Sequence, residues 1–271
     1  MLRSVRPFAA RKAPAGLLAA ALLLGAGPGL AQSAASMASA TPPLRFLVSE
    51  AWAMPFGEIR RSGGHTELVQ GIMKEWQDQL AAALGRRAVI VFASRRREEG
   101  VVREQGTDLR CLMSPEWIPA EDQSRYDWPE SFLRIEQRLV GPAERQRIHS
   151  VEQLKGSIIG TVGGYFYPSL DDWFARGWMR RDDAPTEPTA LAKQLSGRVD
   201  YTVMREIDLR YQQRQRPEVA TLAISPLVVS STPVYCARVR GSEVSLDDIN
   251  RAQRELLKRG RLAEILKRYL D

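Results

Sequence analysis

The side chains in this sequence that could do chemistry are suited to holding a molecule rather than transforming one. Glu50, Glu116 and Glu130 are the carboxylates that can be placed near the mouth of a site at the strand ends, and no two form the convincing pair that general acid–base work needs. His65 and His149 lie in polar loop or linker contexts, where surface exposure is their ordinary fate, and no Gly-x-Ser-x-Gly is present. Cys111 and Cys236 are far apart, with neither metal-ligand spacing nor a Cys-x-x-Cys. That excludes zinc and redox motifs, so no cofactor and no metal is expected. In an exported chain the two cysteines are left as one disulfide or as two buried thiols.

Residues suited to recognition are more numerous. Trp52, Trp117 and Trp128 sit in loops beside prolines, and Tyr165 follows a glycine pair. Aromatics so placed give rigid stacking area at low entropy cost, the alternative for each being core packing. Ser114 directly follows a short apolar run and can offer a hydroxyl, or simply make a turn. Gly163-Gly164 leave a strand towards a helical stretch, where free N–H groups can seat an anion; such turns also serve merely to reverse the chain. Glu50 and Arg205 each follow an apolar strand and could face a ligand or solvent.

Strands and helices in series must position these groups. LRFLVS at 44–49 and AVIVFAS at 88–94 read as strands flanking a helix. In that helix Val69, Ile72, Met73, Trp76, Leu80 and Ala83 share one face, and Gly85 stands at the C-terminal cap position. DLRCLM at 108–113 is a third strand candidate, and 133–140 a crossing strand. A second unit follows, with strands at 157–162 and 199–203 and helices through Trp173 and over 189–195. Segments 228–232 and 233–239 return, and two amphipathic helices close the chain. Ser245 with Asp248 imitates a capping box, Ile249, Ala252 and Leu256 form a face, and Gly260 breaks the helix before Leu262, Ile265 and Leu266.

Ahead of all this, residues 1–31 read as a secretory signal peptide. Arg3, Arg6, Arg11 and Lys12 precede an Ala/Leu-rich run and a small-residue site ending at Ala31. The run is too short and too broken to span a membrane. Residues 32–43 read as a flexible lead-in. The whole chain holds 39 basic and 32 acidic residues, or +7. Without the four leader cations the balance is 35 against 32, or +3, which makes no electrostatic case for nucleic acid. Arg95-Arg96-Arg97, followed at once by Glu98-Glu99, reads as a solvated helix face.

Taken in order, the segments resemble the periplasmic solute-binding protein family that includes the polar amino-acid binding proteins (family 3, type II architecture). The resemblance rests on Gly71-Ile72 opening a helix that ends in Leu84-Gly85, on Leu154-Lys155-Gly156 with Ile159-Gly160, and on Ser196-Gly197-Arg198-Val199-Asp200. It rests also on the closing run from Asn250 through Arg259-Gly260-Arg261-Leu262 to Ile265. It implies an α/β, two-lobe fold with a hinge of two crossing strands: residues 44–133 and 232–271 as lobe one, 134–231 as lobe two. A small polar or anionic solute would be held between the lobes by Glu50, Trp52, Ser114, Trp117, Trp128, Gly163, Gly164, Tyr165 and Arg205. The implied protein is a periplasmic monomer, free of the membrane once its leader is cleaved, that serves an ABC permease or a membrane sensor. Two positions depart from the family. Asp122 stands near its carboxylate-binding Arg, with Arg125 out of register, and Arg205 stands where its ammonium-binding Asp belongs, so an ordinary α-amino acid should fit poorly. The family's lobe architecture also sets the returning strand beside the third strand, which would make Cys111 and Cys236 neighbours. Other readings are a dehydratase-like enzyme on this fold and an accessory protein that binds no solute.

Overall fold

The computed structural model describes residues 41–165 and 167–271, so the expected leader and the lead-in up to Ala40 lie outside the described residues. Strand β1 (Leu44–Ser49) is buried on both faces, as its continuous apolar pattern requires in a parallel sheet covered by helices. A loop and a hairpin, β2 (Glu58–Ser62) and β3 (His65–Gln70), lead to helix α1 (Ile72–Ala83). Val69 therefore belongs to β3, and Ala83 is exposed at the end of α1. The break falls at Gly71, whose φ of 126° is open to glycine, and where a Cβ would come within 2.6 Å of the Gly57 backbone.

Strand β4 (Ala88–Ala93) pairs parallel to β1. A short helix α2 (Glu98–Arg103) precedes β5 (Leu109–Met113), which also runs parallel to β1. Arg95–Arg97 lie in the turn before α2 instead of on a helix face, and Glu98 is buried. The reason is Arg110 on β5, which draws both acids inward. It pairs with Glu98 and with Glu99 at 2.5 Å, and donates to the Tyr126 hydroxyl at 2.9 Å. One turn of helix, α3 (Ala120–Gln123), and the two-residue β6 (Tyr126–Asp127) follow.

Strand β7 (Leu133–Pro142) crosses into the second half of the molecule. There β8 (Ile158–Val162), α4 (Pro168–Ala175), β9 (Arg180–Ala184), α5 (Glu187–Leu195), β10 (Tyr201–Arg205) and α6 (Glu206–Gln215) build a second α/β unit. The 18-residue β11 (Leu222–Val239) returns as one strand where the sequence suggested two. Pro226 does not interrupt it, because it falls in a register shift between Ile224 and Val228, where no ladder N–H is required. Helices α7 (Leu246–Lys258) and α8 (Arg261–Leu270) end the chain. The sheet order is β4-β1-β5-β11-β7-β10-β8-β9, with β6 on β11.

Each half has its own core. Leu44, Phe46, Ile72, Trp76 and Leu109 pack with Ile249, Leu256, Leu262 and Ile265, so the closing helices cover the first half. Trp76 stacks on Phe132 with centroids 4.8 Å apart. Leu139, Ile159, Tyr167, Leu170, Tyr201 and Val203 form the main core of the second half. No helix among the described residues is long and apolar enough to cross a membrane.

Cys111 on β5 and Cys236 on β11 are joined by a disulfide, with Cα atoms 3.8 Å apart and a sequence separation of 125. The antiparallel β5–β11 ladder shifts register between Tyr235 and Ala237, which sets the two side by side. Closing so long a loop contributes up to about 5 kcal/mol in the chain-entropy model. Replacing both cysteines by Ala should lower the urea midpoint well below that of the oxidised protein. Adding reductant to the wild type should lower it by a similar amount. A reductant-insensitive midpoint, or unlinked Cys peptides in a non-reduced digest, would contradict the bond.

Candidate functional site

In sheets with parallel strands, ligands bind beyond the carboxyl ends, where loops and helix N-termini converge. Here β1, β5, β8 and β10 each carry expected site residues at that end. Glu50 and Trp52 follow β1, Ser114 follows β5, Gly163–Tyr165 follow β8, and Arg205 ends β10. The two halves meet at these ends. The Arg205 guanidinium from the second half lies over the Phe56 ring of the first, 5.1 Å from its centroid.

Phe56 was not singled out by sequence, yet its placement is firmly determined. The N–H groups of Ile72 and Met73, left without partners by the start of α1, donate to the carbonyls of Pro55 (2.8 Å) and Phe56 (2.9 Å). Gly71 N–H donates to the Tyr269 hydroxyl (2.9 Å), which in turn donates to Glu75 (2.7 Å). The loop after β1 is thereby tied to α1 and α8, and Phe56 is held 3% exposed. Trp52 packs half-buried beside it, against the tight approach at Gly57.

Arg205 stays about 30% exposed and is enclosed by two acids. Its Nη2 donates to Glu187 Oε2 at 2.8 Å, and its Nε meets Asp208 in an ion pair that is not aligned as a hydrogen bond. Glu187 comes from the first turn of α5 and Asp208 from the first turn of α6, both places where a carboxylate is favoured by the helix dipole. Burial works against the Arg205 charge, but Asp208 and Glu187 outweigh it and raise its pKa. The Asp208 carboxyl is pushed up to about 7, first by burial and then by the neighbouring Glu187, with Arg205 opposing. With both acids ionised the trio carries one net negative charge, and with Asp208 protonated it is neutral.

Several expected site residues stand elsewhere or are already engaged. The Gly163 N–H donates to the Ala184 carbonyl at 2.9 Å and the Tyr165 N–H to the Val162 carbonyl at 3.2 Å, and α4 does not begin until Pro168, so two of the N–H groups that the expected anion seat would use are already engaged. Gly164 and Tyr165 are exposed. Trp128 is a packing residue, 5.8 Å from Tyr126 and 5.5 Å from Tyr235 between ring centroids. Trp117 is 46% exposed on the turn after β5. Ser114 is fully buried and its Oγ has no hydrogen-bond partner among the described residues. Glu50 is exposed, with Arg61 of the hairpin 3.7 Å away. Asp122 is paired with Arg125 at 3.0 Å on the α3 turn. Arg205 is therefore a neutralised cation rather than a free one. Asp208, three residues after it on a helix, could have been found from that spacing; Glu187 could not.

Comparison with known proteins gives the fold a precedent. No family model matches this sequence, and no curated protein sequence matches it either. Solved structures do. The second substrate-binding domain of a putative amino acid ABC transporter from Streptococcus pneumoniae Canada MDR_19A aligns with a TM-score of 0.67 at 18% identity, over 84% of this chain and 100% of that one. The L-cystine solute receptor of Neisseria gonorrhoeae, in the unliganded open conformation, aligns at 0.67 and 16% identity, over 84% and 93%. An ancestral arginine-binding protein bound to arginine aligns at 0.60 and 20% identity, over 86% and 100%. The chain thus has the two-lobe, type II binding-protein fold.

The Asp208 carboxyl gives the site a pH signature. Its pKa is raised from the ordinary 3.8 to about 7. Between those values the folded protein keeps a proton that the unfolded chain releases. The stabilisation is complete below about pH 4 and is lost as pH rises through 7. The shifts at Asp108, Asp183 and Asp200, elsewhere in the molecule, are downward, so those groups titrate below this window. Melting temperature should fall between pH 5 and pH 8, and Asp208→Asn should flatten that slope. A variant that keeps the full wild-type slope would assign the titration to another group.

Proposed function

We propose that this chain is an exported solute-binding protein that takes a small polar molecule between its two lobes and delivers it to a membrane partner. The observation that carries the reading is the meeting of the carboxyl ends of β1, β5, β8 and β10, where Arg205 spans from the second half onto Phe56 of the first. In this reading residues 44–133 and 232–271 move as one lobe and 134–231 as the other, with the bend taken up in β7 and β11. The likeness to a substrate-binding domain of a putative amino acid ABC transporter supports an ABC permease as the membrane partner. A periplasmic location and a monomeric state are parts of the same proposal.

The charge of the site revises the expected ligand. Arg205 is already matched by Glu187 and Asp208, so it offers an anionic solute little that is not compensated. The excess carboxylate favours an ammonium or guanidinium group on the ligand, with Trp52 and Tyr165 as the aromatic surfaces nearest this end of the cleft. The reading is one of binding, and the carboxylates here have a structural task in holding Arg205.

A panel of amines, amino acids, guanidinium compounds and dicarboxylates, scanned by thermal shift at pH 8, tests this. Cationic or zwitterionic compounds should raise the melting temperature, and Glu187→Gln should cut the affinity of the best hit about tenfold or more, as loss of a charge-assisted contact does. The same hit should reduce the radius of gyration in solution scattering, because a ligand that bridges both lobes favours the closed form. Hits confined to dicarboxylates would overturn the charge reading alone. Stabilisation without contraction would overturn the clamp, and turnover of prephenate, a substrate for the cyclohexadienyl-dehydratase-like alternative, would overturn binding as the sole role.

A further inference from the structure

The two ends of the long sheet are built in opposite ways. Strand β9, at the second-half edge, reads Arg-Arg-Asp-Asp-Ala, and three of its four charges are paired within the second half. Arg181 pairs with Asp183 at 2.8 Å, and Asp182 with Lys193 at 2.5 Å. Charged, self-satisfied edges of this kind discourage the addition of further strands. Strand β4, at the first-half edge, reads Ala-Val-Ile-Val-Phe-Ala, and its residues from Ala88 to Phe92 are only half-buried. It has no Pro, no charge and no bulge. The β2–β3 hairpin forms a separate two-stranded sheet and does not pair with it.

The backbone direction of this edge follows from its inner bonds. Leu44 N–H donates to the Arg87 carbonyl and Glu50 N–H to the Ala93 carbonyl, so the odd-numbered residues of β4 face β1. The N–H and C=O groups of Ala88, Ile90 and Phe92 therefore point outward, at the spacing that a further strand would use.

Charge then restricts what that strand can be. Arg87 stands exposed just before β4, and Arg95, Arg96 and Arg97 stand exposed just after it. None of the four makes a salt bridge among the described residues, whereas Arg86 turns to the groove beside Asp248. The acids next in sequence, Glu98 and Glu99, are taken up by Arg110 and cannot compensate the run. A second copy of this chain added antiparallel would bring Arg87 near the Arg95–Arg97 run of its partner, so like charges disfavour self-pairing.

We propose that the β4 edge, bracketed by Arg87 and by Arg95–Arg97, accepts an extended acidic segment of a partner protein as an added strand. Outward backbone groups supply the ladder, the half-buried apolar side chains supply the flanking contacts, and the arginines select acidic residues on both sides of an apolar centre. The outward edge of β4 faces away from β1, although Arg95–Arg97 share the carboxyl-end side of the sheet with Glu50, whose N–H bonds the Ala93 carbonyl; the binding test uses no solute.

The probe is a fluorescein-labelled peptide, Asp-Glu-Val-Thr-Ile-Thr-Val-Glu-Asp, titrated with the full protein in fluorescence anisotropy. It should bind, and backbone N-methylation of its central residues should weaken binding at least tenfold. A version with Lys in place of its acids should not bind. The exposed double substitution Arg95→Glu/Arg96→Glu should weaken the acidic peptide at least tenfold with the melting temperature unchanged, and Arg87→Glu gives a second variant at the other end. No binding of the acidic peptide would overturn the proposal. Equal binding of the N-methylated peptide, showing ion exchange without strand addition, would do so as well. Competition by phosphatidylglycerol vesicles against both the plain and the N-methylated peptide would identify an anionic membrane surface as the occupant instead.

Discussion

The rest of the molecule depends on the pairing of β7 with β11. These two strands leave one α/β unit and enter the other side by side, with ladder partners from Leu222–Pro142 to Val234–Leu133. Neither half is covalently complete without them: β11 goes on to pair with β5 in the first half, and β7 pairs with β10 in the second. Any change of angle between the halves must be absorbed here, because both cores are closely packed and resist deformation. The register shifts around Val228 let β11 bend without losing the ladder. Arg138 on β7 ties this crossing to α6 through Glu206 at 2.8 Å, so the helix that follows Arg205 is anchored to the strand that would bend.

That anchoring gives meaning to the cluster at the strand ends. A guanidinium taken partly out of water needs compensation, and Arg205 has it from two carboxylates on two different helices and from the face of Phe56. Ile207, the second residue of α6, is packed in the core of the first half, and Arg214 donates to the Arg268 carbonyl of α8 at 2.8 Å. Helix α6 is thus the element of the second half that touches the first most directly. The Asp208 charge and the Ile207 contact share its first turn and are coupled by the rigidity of the helix.

The same sheet shows how local sequence decides what an edge can do. β9 and β4 occupy equivalent terminal positions, but one is charged, with three of its four charges paired, and the other is apolar between cations that make no salt bridge among the described residues. The difference arises from tertiary pairing as much as from composition. Had Glu98 and Glu99 remained in solvent, they would have compensated Arg95–Arg97; Arg110 removes them from that role.

The sequence by itself determined what depends on local periodicity and local geometry. The buried strand at 44–49, the face of α1 through Trp76, the Ser245 cap with its 3.0 Å bond from the Asp248 N–H, and the left-handed break at Gly260 all follow from neighbours a few residues away. The order of these elements also carried the two-lobe fold. Only the tertiary structure decided the chemistry between them. Whether Arg205 is a free cation depends on Glu187, 18 residues earlier, and on Phe56 from the other half. Whether Trp128 lines a cleft or packs depends on Tyr235 reaching it along β11. Whether the glycine pair can receive an anion depends on the Ala184 carbonyl already taking the Gly163 N–H. In each case the residue type was legible, but its free valence was not, because hydrogen bonds and ion pairs are shared out by contacts that no spacing along the chain encodes.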